Sequence, residues 1–78
     1  MPPIAYVLVD AKYGECDEVL GSVKKVSGVE EAYKIKKGVY GIIAKISEGS
    51  DEKLSKSVEN VRNIKGVKCT LTEIADDS

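Results

Sequence analysis

The stretch CDEVLGSVKKVSGV, residues 16–29, lies over LSKSVENVRNIKGV, residues 54–67, when the chain is slid along itself. Cys16, Leu20, Val23, Val26, Gly28 and Val29 then fall on Leu54, Val58, Val61, Ile64, Gly66 and Val67. Each copy reads as an amphipathic helix, a glycine stop and a strand that opens on valine. An apolar strand precedes each helix, Ile4 to Val9 in the first half and Ile42 to Ile46 in the second.

Two strand–helix–strand units in 78 residues predict an α+β fold, the ferredoxin-like βαββαβ sandwich. Its four-stranded antiparallel sheet carries both helices on one face, and the whole chain, 1–78, is expected to be one domain. The first strand, Ile4 to Ala11, is apolar on alternate residues of both faces, as buried strands are. The first helix follows Gly14, with Glu15, Asp17 and Glu18 at its positive end and Lys24 and Lys25 at its negative end. Glu30, Glu31, Lys34 and Lys36 interrupt the second strand, Val29 to Lys36, and mark it as a sheet edge that charge protects from stray pairing. Lys37-Gly38 reads as a tight hairpin turn into a third strand, Val39 to Ile46. Ser50 caps the second helix, Asp51 and Glu52 fill its first turn, and Leu54, Val58, Val61 and Ile64 form its core stripe. The fourth strand, Val67 to Ile74, ends in a short acidic tail, 75–78.

The helices can cover only one sheet face, so the apolar residues of the central strands on the other face are left to hide. A contiguous patch of that kind marks an association surface, and a sheet-on-sheet homodimer is the economical way to bury it. A single core in a chain this short supplies no more than about 3–5 kcal/mol, which makes assembly an effective further source of stability.

Composition excludes more than it assigns. Twelve basic and thirteen acidic residues leave a net charge of −1, so no global field attracts nucleic acid or an anionic membrane. The apolar runs are far too short to span a bilayer, and Met1-Pro2-Pro3 leading into a strand is not a signal peptide. Two unpatterned cysteines fit a reducing compartment, which points to the cytoplasm.

Catalysis has little raw material. Without histidine there is no Ser–His or Cys–His pair, and the acidic residues gather at helix ends, the edge strand and the tail. Acylphosphatase-type chemistry needs an arginine in a phosphate-cradling loop, whereas the only arginine, Arg62, closes the second helix. Metal carriage needs two thiolates in the first loop; Cys16 stands there alone and Cys69 lies on the fourth strand. Both cysteines read as buried structural thiols, with a redox role as the lesser alternative. Residues 37–44 (KGVYGIIA) resemble the start of an RNA-recognition signature but put aliphatics where base-stacking rings are required, and Tyr6 and Tyr40 alone make a weak platform. Lys24, Lys25, Lys34, Lys36 and Lys37 read as a solvated helix end and a protected edge. Neither an enzyme nor a cofactor or metal site is expected.

Three stretches resemble the effector-binding domain of the Lrp/AsnC transcription regulators, also called RAM: residues 26–33 (VSGVEEAY), residues 37–45 (KGVYGIIAK), and Ile64-Lys65-Gly66-Val67 with Thr70-Leu71-Thr72. The resemblance covers Ile4 to Ile74, and its most specific element is the Gly38-Val39-Tyr40 hairpin between the two Gly-Val strand starts. Members of that family typically carry an N-terminal DNA-binding helix-turn-helix; this chain looks like the stand-alone sensor form.

The resemblance implies a dimer built by facing sheets, further assembly into larger rings, and a small-molecule effector, usually an amino acid, held in crevices between dimers. The residues it assigns to that crevice are Gly38, Tyr40 and Gly41, with Thr70 and Thr72 as weaker candidates. The plain alternatives are a turn for Gly38 and a dimer contact for Tyr40. The family commonly has aspartate where this chain has Gly41, which removes an obvious partner for a ligand ammonium. The expected function is amino-acid sensing and oligomerisation that modulates transcription through a DNA-binding partner, such as a full-length Lrp/AsnC regulator, with no direct DNA binding. Two alternatives stand beside it: a ligand-free structural assembly protein, and an ACT-like amino-acid-binding module, which would pair sheets edge to edge.

Overall fold

In Ile4–Ala11, the first strand (β1), Ala5, Val7 and Val9 are wholly buried while Tyr6 is 40% exposed. That alternation sorts the whole molecule. The computed structural model describes residues 3–75, and the remaining elements are α1 (Cys16–Lys24), β2 (Val29–Lys34), β3 (Ile42–Ser47), α2 (Asp51–Arg62) and β4 (Val67–Ala75). The strands form one antiparallel sheet in the order β2-β3-β1-β4. This is the ferredoxin-like sandwich that the repeat predicts.

One core cluster joins the buried sheet residues Ala5, Val7, Val9, Ala32, Ile42, Ala44 and Ile46 to Val19 and Val23 of α1 and to Leu54, Val58 and Val61 of α2. Both helix stripes therefore point at the same sheet face. Cys16, Leu20, Val26 and Ile64 pack at its margin, partly buried. No helix among the described residues is long and apolar enough to cross a membrane.

The helices start differently. The Ser50 hydroxyl accepts the Lys53 N–H at 3.3 Å, as expected of an N-cap, whereas Glu15 caps α1 with no side-chain hydrogen bond. They end alike, but earlier than the glycines. After Lys24 the N–H groups of Val26 and Val29 bond to the carbonyls of Val23 and Val26; after Arg62 those of Ile64 and Val67 bond to Val61 and Ile64. Gly28 and Gly66 sit at the end of these turns with φ of +91° and +98°, and each launches a strand. A Cβ at Gly28 would collide with the Glu48 carboxylate, and one at Gly66 would come within 2.8 Å of Val19 Cγ2. The backbone conformation demands glycine at both positions, and at Gly66 the contact with Val19 adds to it.

Three expectations need correction. The second strand stops at Lys34 and the third starts at Ile42, so the connection is a loop and not the tight Lys37-Gly38 turn. The open sheet face is accordingly less apolar than predicted, since Val39 and Gly41 belong to that loop. Cys69 is exposed and not a buried thiol: pairing with Asp10 of β1 puts it on the open face. Cys16, by contrast, is partly buried against the core. Ala75 closes β4, and the rest of the expected acidic tail, like Met1 and Pro2, lies outside the described residues.

Candidate functional site

The β2–β3 loop begins where Lys34 leaves the sheet. Its ammonium donates to the Asp17 carboxylate of α1 at 2.7 Å; that hydrogen bond, and then the carboxylate's charge, hold the Lys34 pKa above its ordinary value. The Ile35 N–H bonds to the Gly41 carbonyl at 2.7 Å and closes the loop at its base. The Gly41 N–H bonds to the Val9 carbonyl at 3.0 Å and ties the loop to β1. Between these anchors Gly38 takes φ +141°, a conformation that side chains disfavour, and Val39 stands 84% exposed. Gly38, Tyr40 and Gly41 thus lie on a pinned loop and not on strands.

Gly41 is also the seat of a side-chain contact from α1. The Cys16 thiol reaches the Gly41 carbonyl oxygen at 3.9 Å, and a Cβ built at 41 would lie 3.3 Å from the sulfur. A carboxylate side chain at this position would have to displace the thiol. The missing aspartate is visible in the sequence; the cysteine that crowds its position is 25 residues away and carries no local signal there.

Thr70 and Thr72 are not equivalent. Thr70 pairs with Val9, so it and Gly41 flank the same β1 residue from opposite sides, two strand spacings or roughly 10 Å apart. Thr72 pairs with Val7 farther along, and both threonines lie on the helix-covered side of the sheet with Val7 and Val9. It lines an open groove of about 340 Å³ with Ser55, Val58, Glu59, Arg62 and Ile74. The fold therefore brings Thr70 to the loop end of the sheet and Thr72 to the side of α2.

The open face is a second candidate surface. Its centre is Leu8, Ile43 and Leu71, from adjacent strands, with Tyr6 and Tyr33 beside them and Glu31, Lys45, Asp10 and Glu73 interspersed. Tyr6, Glu31, Tyr33, Ile43 and Lys45 enclose a hollow of about 160 Å³. The Tyr33 hydroxyl donates to the Glu31 carboxylate at 2.7 Å; this bond, followed by the carboxylate's charge, raises the Tyr33 pKa. At the β4 margin Asp10 receives the Cys69 thiol at 3.9 Å and the Lys68 ammonium at 4.0 Å. Among the described residues no group of three or more His, Cys, Asp or Glu is placed to hold a metal ion.

No protein-family model matches the sequence, and no curated protein does. Solved structures are similar. FFRP-DM1 is 27% identical with a TM-score of 0.87, the match covering 95% of this chain and 99% of that one. The transcriptional regulatory protein PF0864 of Pyrococcus furiosus, a member of the AsnC family, is 20% identical with a TM-score of 0.73 over 94% of this chain. This chain spans about half of that regulator, 51% of its length. The fold also occurs in an enzyme: the siroheme decarboxylase NirDL is 14% identical, with a TM-score of 0.79 over 94% of this chain and 25% of its own.

Proposed function

We propose that this chain, which has the fold of the Lrp/AsnC effector domain over its described residues, is a small-molecule sensing and oligomerisation module. It is read as a single domain, non-enzymatic and cytoplasmic, that modulates transcription through a partner bearing the DNA-binding part. The observation that carries this reading is the uncovered sheet face. Tyr6, Tyr33 and Leu71 are all substantially exposed there around Leu8 and Ile43, and a second copy laid face to face would bury them. The mixture of Lys45 with Glu31 and Glu73 on the same face favours a defined pairing over indiscriminate adhesion.

The effector is read as an amino acid held at the loop end of the sheet, with Gly38, Tyr40 and Gly41 nearest, Thr70 behind them and Thr72 two residues farther along β4. Exposed loop backbone supplies donors for a carboxylate, and carbonyl and hydroxyl oxygens supply acceptors for an ammonium. The ligand acts by binding one state of assembly more tightly than another. The net charge of −1 supports leaving DNA contact to the partner.

One observation favours a second reading. Cys16 crowds the position from which a carboxylate at residue 41 would extend, and the chain has glycine there, which suits a purely structural assembly protein. Thermal-shift measurements with each standard amino acid, read beside light scattering, separate the two. A sensor gains stability or changes mass with at least one amino acid; a scaffold changes with none.

A further inference from the structure

We draw no further inference here: the strongest candidate, the hollow that Tyr6, Glu31, Tyr33, Ile43 and Lys45 enclose on the open sheet face, belongs to the assembly surface already described, and nothing in the structure shows what else would fill it.

Discussion

The Cys16 sulfur lies 3.9 Å from the Gly41 carbonyl oxygen and would stand 3.3 Å from a Cβ at that position. The first residue of α1 and the last residue of the β2–β3 loop are therefore in packing contact: a side chain at 41 presses on the thiol, which must give by a few tenths of an ångström. This couples the residue by which the chain departs from the Lrp/AsnC pattern, in the connection between the two repeats, to the helix of the first repeat.

Gly41→Asp should destabilise the chain by about 1–3 kcal/mol, the usual cost of overpacking plus a shifted thiol. Adding Cys16→Ala should return a large part of that loss. Urea unfolding of the two single variants and the double variant gives the coupling energy. A Gly41→Asp chain as stable as the parent, or a double variant whose losses simply add, would show that the contact imposes no constraint. If the loop end holds an amino acid, the double variant should also show the larger thermal shift with amino acids.

Gly28→Ala should cost more than Gly14→Ala. Both glycines have positive φ, +91° and +81°, so the backbone strain is shared. A Cβ at 14 meets open space, whereas one at 28 runs into the Glu48 side chain, which also receives the Ser57 hydroxyl at 2.6 Å. We expect about 1 kcal/mol for Gly14→Ala and about 2–3 kcal/mol for Gly28→Ala. Thermal denaturation of the two variants measures the difference. Equal losses would mean that Glu48 turns away freely.

The Tyr33 phenol is expected to ionise above its ordinary value of 10.0, because the Glu31 carboxylate accepts its proton and then opposes the phenolate charge. A pKa raised on folding means that the contribution to stability is complete below about pH 10 and is lost as the pH rises through the folded value. The ultraviolet ionisation curve of the folded chain should therefore shift to lower pH in Glu31→Gln, through the loss of one late-titrating tyrosine. Superimposable curves for the two proteins would rule out the interaction.

Most of the fold was legible because the repeat carries it. The stripes at Leu20, Val23, Leu54 and Val61 face the core, the charged second strand is an edge, and the two repeat glycines both turn the chain into strands. The loop was not legible: Val39 and Tyr40 favour a strand, but the Ile35–Gly41 bond and the φ of Gly38 close a wider connection. The side on which Cys69 lies depends on the register between β1 and β4, which local sequence does not encode. Arg62 comes to line one groove with Thr72 only once α2 has packed on the sheet, a relation between distant residues that local sequence does not carry. The resemblance to Lrp/AsnC effector domains supplied Gly38, Tyr40 and Gly41 as neighbours, and the fold sets Thr72 apart from them.

Sedimentation velocity on the parent chain and on Leu8→Lys decides whether the open face is an assembly surface. Leu8 lies on the open face, paired with Ile43 on one side and Leu71 on the other. A lysine there leaves the helix-side core untouched and places an unpaired charge at the middle of the sheet–sheet contact. Face-to-face assembly makes the parent a dimer or larger particle at micromolar concentration and Leu8→Lys a folded monomer, with the far-ultraviolet circular dichroism unchanged. A parent that sediments as a monomer, or a Leu8→Lys chain that assembles as the parent does, would contradict it.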